Sequence, residues 1–190
     1  MATFSIIGTG NMGTAIGGLL GDGGAAVTHI THEEVGRAPL GDVVILAVPY
    51  PALDSVVTAY GDRLAGKVLV DITNPVDFEV FEPAVPAGSS AAAELQQKLP
   101  SAKVLKAFNT NFAATLATRK TGDQQTTVLI AGDDVDAKRV LSDAVTAGGV
   151  GAIDAGPLPR AAQLEAFGFL QLSLAIGQHL PWTGGFAVIR

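Results

Sequence analysis

Apolar residues along this chain gather into short runs separated by stretches with helical spacing. The runs at residues 4–7, 27–30, 43–48, 68–72, 104–108 and 127–131 predict strands, several of them apolar on both faces as buried parallel strands are. Between residues 133 and 147, Ala137, Val140, Leu141, Ala144 and Val145 fall on one helical face, with Asp133 as the expected N-cap and Gly148 as the stop. Residues 91–99 predict a further helix, and residues 78–90, rich in proline and serine, a surface loop. The alternation of strand and helix predicts an α/β fold: a Rossmann-type, doubly wound, mostly parallel sheet with a C-terminal helical extension. Residues 1–190 read as a single dinucleotide-binding domain, with 155–190 as the extension.

One interval breaks the rhythm. Only residues 31–41 separate the second and third predicted strands, at the lower limit of about 10 to 12 residues for a crossover. The second crossover is therefore expected to be shortened, its helix reduced to one or two turns or lost.

The first strand runs directly into Gly8-Thr9-Gly10-Asn11-Met12-Gly13 and then an apolar helix, "TAIGGLL". A G-x-G-x-x-G pattern alone is weak in a chain with 23 glycines, but its place between a strand and a helix gives each glycine a role. Gly8 makes the tight turn, Gly10 lets a pyrophosphate approach the backbone, and Gly13 lets helix and strand pack closely. None of the twelve Lys and Arg residues precedes Arg37, so backbone N–H groups and the helix N-terminus must hold the anion, with Thr9 and Asn11 as additional donors. A rival phosphate loop, Gly61 to Lys67, has Val68 where a magnesium-binding Ser or Thr belongs and leads into a strand, so it reads as a turn.

After the second strand, the adenosine ribose falls to Thr31, His32, Glu33, Glu34 and Arg37. Glu33 or Glu34 would accept from a ribose 2'-hydroxyl, favouring NAD; Thr31, His32 and Arg37 would surround a 2'-phosphate, favouring NADP. The sequence leaves both open.

Composition narrows the class. With 190 residues, 48% hydrophobic and 16% charged, the chain can bury an ordinary core. It has no cysteine, and its three histidines match no zinc spacing, so neither a disulfide nor a metal site is expected. "MATFSIIGTG" lacks the basic start of a secretory signal, and the uncharged stretch 166–189 is interrupted by Gln171, Gln178, His179 and Pro181. A soluble cytoplasmic protein without a membrane partner is expected. A net charge of −6 argues against nucleic acid. Residues 164–176, "LEAFGFLQLSLAI", are apolar nearly all round, which predicts burial on more than one side: a core helix or, as favoured here, a homodimer interface that also closes the site.

The segments "IIGTGNMGTA", "VVILAVPYPAL", "GKVLVDITNP", "VLKAFNT" and "DAGPL" occur in order, and together they resemble the family of NADP oxidoreductases dependent on the deazaflavin coenzyme F420. The same module resembles the cytosolic oxidoreductase domain of membrane metalloreductases. The resemblance implies reversible hydride transfer between NADP(H), with NAD as the alternative, and coenzyme F420 or a flavin-like small-molecule acceptor. It implies that Gly8, Thr9, Gly10, Asn11, Met12 and Gly13 cradle the pyrophosphate, that Ala47, Val48, Pro49, Asn74 and Pro75 line the cleft, and that Ala107, Phe108 and Asn109 approach the nicotinamide. All lie at the carboxyl ends of strands, where open α/β sheets place ligands. Pro49 and Pro75 equally suit strand termination, and Phe108 equally suits the core. The family commonly has Ser-Arg after the second strand, where this chain has Thr31-His32-Glu33.

The chain offers no Y-x-x-x-K pair, no G-x-S-x-G elbow and no thiol, so no catalytic acid, base or nucleophile is named. Hydride transfer between two stacked rings requires none, because the cofactors do the chemistry. A noncatalytic dinucleotide sensor is the alternative of a different class. A dehydrogenase or imine reductase of a small metabolite is another, since "GTGNMG" also resembles those families.

Overall fold

The computed structural model describes residues 2–189. Strand β1 (Thr3–Ile7) runs into helix α1 (Asn11–Asp22), and the chain returns as β2 (Ala26–Ile30). β3 (Val43–Leu46), α2 (Leu53–Tyr60) and β4 (Val68–Asp71) follow. A small hairpin, β5 (Val76–Asp77) with β6 (Glu82–Pro83), precedes α3 (Ala91–Lys98) and β7 (Lys103–Lys106). α4 (Ala113–Thr118) leads to a second hairpin, β8 (Lys120–Thr121) with β9 (Gln124–Gln125). The order closes with β10 (Thr127–Gly132), α5 (Val135–Ala147), β11 (Gly151–Gly156) and α6 (Ala161–Ile176).

Seven strands form one sheet in the order β11-β10-β7-β4-β3-β1-β2. The five from β2 to β7 are parallel; β10 pairs antiparallel with β7, and β11 parallel with β10. This is the Rossmann-type, mostly parallel sheet that the alternation predicts. Successive strand residues feed opposite faces, because side chains alternate along a strand. Ile6, Val43, Ile45, Val70 and Leu105 meet Ile16, Leu19 and Leu20 of α1, Leu116 of α4, and Leu141 and Val145 of α5. Ile7, Val44, Leu46, Leu69 and Val104 meet Leu53, Val56 and Tyr60 of α2, and Ala92 and Leu95 of α3. Near-continuous apolar strands are the consequence of that double cover.

The second crossover is a single 3-10 turn, His32–Glu34, followed by irregular chain. Its carbonyls are held from the segment between α2 and β4: Arg63 donates to Gly36 O at 2.8 Å and Ala38 O at 2.6 Å, and Lys67 donates to Leu40 O at 3.4 Å. The segment that mimics a phosphate loop is itself a 3-10 turn, Gly61–Leu64, leading into β4. Its cations hold the short connection. With no further strand placed beyond it, β2 is an edge of the sheet.

Several boundaries differ from the sequence expectations for identifiable reasons. β7 stops at Lys106 because Phe108 adopts φ 63°, a left-handed conformation that no strand continues through. β3 stops at Leu46, short of the expected Val48. The N-cap of α5 is Asp134, not Asp133: its Oδ1 accepts from Ala137 N–H at 2.8 Å, while Asp133 Oδ1 accepts from Leu158 N–H at 2.9 Å and ties this corner to the turn before α6. The proline-rich stretch contains β6. α6 buries a single stripe, Ala161, Leu164, Glu165, Gly168, Gln171 and Ala175, whereas Leu170 and Ile176 stay about half exposed. Among the described residues, no helix is long and apolar enough to cross a membrane.

Candidate functional site

The site begins where β1 ends. Gly8 has φ 116°, and a Cβ there would lie 2.2 Å from Ala47 O; a Cβ on Gly13 would lie 2.4 Å from Gly8 O. Both glycines are therefore required by the fold, one for the turn and one for the close approach of α1. Gly10 differs. It is the N-cap of α1 with an ordinary φ of −72°, and nothing lies within 4 Å of where its Cβ would be. No side chain caps α1, so the first N–H groups of the helix face open space beside Gly10. Those features fit the close backbone approach of a pyrophosphate.

Two hydrogen bonds pin the turn, Gly8 N–H to Ile30 O at 3.0 Å and Ala47 N–H to Ile7 O at 2.9 Å. They bring Ala47, and with it Val48 and Pro49, to the glycine loop. Thr31, His32 and Arg37 lie beyond the end of β2 and are exposed. Glu34 reaches back to Thr31, accepting from both its N–H and its hydroxyl at 2.8 Å. These bonds hold the Glu34 carboxyl below its ordinary range. The donors of Thr31 that a 2'-phosphate would use are already engaged by a carboxylate.

At the carboxyl ends of β4 and β7 lies a buried ion cluster. Lys106 Nζ lies 2.8 Å from Asp71 Oδ2 and 2.7 Å from Glu165 Oε1, and it also donates to Thr73 O. All three donors of the ammonium are thereby satisfied. Asp71 Oδ1 accepts from Thr73 N–H, and Glu165 accepts from Ala91 and Ala92 N–H at the start of α3. Burial pushes the Glu165 carboxyl up from its ordinary value, opposed by the adjacent Lys106 charge. One residue beyond Thr73, Asn74 forms a reciprocal pair with Asn109: Asn74 Nδ2 donates to Asn109 O at 2.9 Å, and Asn109 Nδ2 to Asn74 Oδ1 at 2.8 Å. Gly168 of α6 packs on this pair so closely that a Cβ would meet Asn74 Oδ1 at 2.4 Å.

The paired asparagines, the start of α1, α4 and α6 enclose a cavity of about 680 Å³, an ordinary size for a small-molecule site. Of the residues named from the sequence, Asn11, Met12, Asn74 and Asn109 line it. Ala107 and Phe108 do not: both side chains are wholly buried in the core, which leaves Asn109 to present the polar group. Pro75 lines a smaller neighbouring cavity of about 150 Å³ beside the β5–β6 hairpin. Asn111, Phe112, Gly168, Leu172 and Trp182 complete the walls of the larger cavity. Sequence reasoning named none of them individually: Gly168 and Leu172 fall in the segment 164–176 expected to close the site, and Asn111 and Phe112 directly follow the "VLKAFNT" segment.

The family model for NADP oxidoreductases, coenzyme F420-dependent, matches residues 19–75. Over 157 residues the chain is 31% identical to the F420-dependent NADP reductase of Methanocaldococcus jannaschii, covering 80% of this chain and 70% of that protein. The chain belongs to this family. It is also 36% identical over 142 residues to the metalloreductase STEAP3 of Rattus norvegicus, spanning 74% of this chain but 28% of that much longer protein. A solved structure of a proposed F420-dependent NADP-reductase from Arthrobacter sp. FB24 superposes with a TM-score of 0.84 over 100% of both chains at 24% identity, which establishes the shared fold. Family membership makes the chain an oxidoreductase of NADP-dependent type, and the glycine loop and cavity are the parts such a protein needs.

Proposed function

We propose that the protein transfers hydride between a nicotinamide dinucleotide and a flat, flavin-like or deazaflavin acceptor, the two meeting in the cavity between α1, α4 and α6. The observation that carries this reading is the open, uncapped start of α1 beside Gly10, continuous with that cavity through Asn11 and Met12. The N–H groups of residues 11–13 would hold the pyrophosphate, and Thr31, His32 and Arg37 the adenosine ribose, with Ala47, Val48, Pro49, Asn74 and Pro75 along the cleft. When bound, the nicotinamide supplies two electrons and one proton as hydride, and the acceptor takes its second proton from solvent. The chain's own work is alignment. Ile72, Ala113, Ala114, Ala117 and Leu172 give dry walls, and the Asn74–Asn109 pair offers fixed polar groups. No side chain is required to move a proton.

Calorimetry with NADPH and NADH, followed by spectrophotometric assay of each with coenzyme F420, FMN and riboflavin, tests the reading. Turnover with at least one pair is expected. Binding without any turnover would make the protein a dinucleotide sensor, and absence of binding would remove both readings. Arg37→Ala is expected to weaken NADPH more than NADH, and equal effects would reject a 2'-phosphate role for Arg37.

The same reading treats the chain as one dinucleotide-binding unit extended by residues 155–190, working in the cytoplasm as a homodimer. The half-exposed Leu170 and Ile176 of α6 supply an apolar face for a second copy. Light scattering at micromolar concentration should give twice the chain mass of 19.3 kDa.

A further inference from the structure

We propose that Arg63 is a positioning residue for the adenosine end of the dinucleotide: it grips the chain on both sides of Arg37 and so presents that cation to a 2'-phosphate, adding to the affinity for NADPH and not for NADH. The inference rests on the reading that Arg37 meets the 2'-phosphate and names what holds it there. In the connection after β2, the turn at Thr31 secures itself, because Glu34 accepts from both the N–H and the hydroxyl of Thr31. The chain beyond that turn has no helix to fix it. One guanidinium takes that place. Arg63 Nη1 donates to Gly36 O at 2.8 Å and Nη2 to Ala38 O at 2.6 Å, so the two arms of a planar fork bracket residue 37.

The fork is itself anchored. Arg63 Cζ stands over the ring of the buried Tyr60, 5.0 Å from its centroid, at the end of α2. Gly36 seats on the same helix: it has φ 80°, and a Cβ there would lie 3.0 Å from Ala59 O. Val35, Ala38 and Leu40 pack on the core that α2 covers, and Lys67 donates to Leu40 O at 3.4 Å. Arg37 is exposed in the middle of this stretch, and among the described residues its guanidinium has no hydrogen-bond or ion-pair partner. An arginine whose backbone is already fixed loses less freedom on meeting a phosphate than one on a loose loop. The gain falls to NADPH alone, because NADH carries no phosphate at this position and its ribose meets the separately secured turn at Thr31. The segment from Gly61 to Lys67, whose spacing imitates a phosphate loop, thus spends its cations on main-chain carbonyls and serves a phosphate only through Arg37.

Calorimetry with NADPH and NADH on the full chain, on Arg37→Ala, Arg63→Ala and Arg63→Lys, and on the double variant Arg37→Ala with Arg63→Ala tests the inference through the NADPH-to-NADH affinity ratio. Arg37→Ala is expected to lower the ratio about tenfold. Arg63→Ala should lower it about threefold or more, with NADH affinity kept within about twofold. The double variant should fall no further than Arg37→Ala alone, since Arg63 acts through Arg37. Arg63→Lys keeps the charge but loses the fork, so its ratio should fall as well. An unchanged ratio in Arg63→Ala, an equal loss of both nucleotides there, full additivity in the double variant, or an unchanged ratio in Arg63→Lys would each overturn the inference. An Arg37→Ala ratio equal to that of the unaltered chain, or no binding of either nucleotide, would instead sink the underlying reading. Circular dichroism checks the folding of every variant. Both Arg63 bonds lie at the surface, and should Arg63→Ala fail to fold, Arg63→Lys carries the comparison.

Discussion

Gly8, Gly10 and Gly13 stand close together in sequence, yet a methyl group would meet quite different surroundings at each. At Gly13 it would collide with Gly8 O at 2.4 Å, so Gly13→Ala should unfold the β1–α1 corner or destabilise it severely, seen as a lowered denaturant midpoint. At Gly10 it would meet nothing and strain nothing. Gly10→Ala should therefore leave stability within about 0.5 kcal/mol while weakening the dinucleotide about tenfold or more. A variant of Gly10 that binds NADPH normally would exclude pyrophosphate from this position. Glu34 offers the second residue-scale expectation. Because its carboxylate takes both donors of Thr31, Glu34→Gln should raise NADPH affinity relative to NADH, and an unchanged ratio would show that the 2'-phosphate binds elsewhere.

Single elements carry the acid sensitivity. α5 begins on Asp134, whose carboxylate accepts from Ala137 N–H and pairs with Lys103 at 2.9 Å; the Ala137 bond first, and then Lys103, hold its carboxyl below the ordinary range. A lowered carboxyl contributes stability that is present above its unfolded value and is lost as pH falls through the folded one. Asp134→Ala should cost about 1 kcal/mol at neutral pH, and Asp134→Asn less, because asparagine still caps. Both variants should lose part of the midpoint decline on acidification. An unaltered acid profile in urea titrations would place that sensitivity in other carboxylates, of which Asp42 and Asp154 are also held low by hydrogen bonds, from Thr3 and Lys138 respectively.

For the molecule as a whole, the Lys106 cluster is where β4, β7, α3 and α6 meet. Removing the ammonium with Lys106→Met would leave Asp71 and Glu165 buried and facing each other, at a cost of about 3–5 kcal/mol in chemical denaturation. Glu165 has the opposite pH sign from Asp134. Its carboxyl is raised by burial, so its contribution is fully present below the ordinary carboxylate range and is lost as pH rises through the raised folded value. Glu165→Gln should flatten that decline, and an unchanged slope of midpoint against pH would refute the assignment.

How the chain came to be readable in part follows from where its information lies. The Gly8-to-Gly13 loop, the strand–helix alternation, the shortened connection after β2 and the lack of cations near the loop are all written in local spacing, because turn sterics and periodic burial act between neighbours. Boundaries at Phe108 and Asp134 were missed because a left-handed residue and the choice between two adjacent caps depend on what lies across the fold. The cavity belongs wholly to tertiary structure. Asn74 meets Asn109 across 35 positions, Asn109 reaches Leu164 across 55, and only glycine fits at 168 because that pair leaves no room for a side chain. Sheet order decides which strand ends become neighbours, and no local pattern encodes that order. The sequence by itself therefore determined the glycine loop at the head of α1; only the packing of α4 and α6 over the strand ends decided the cavity beside it.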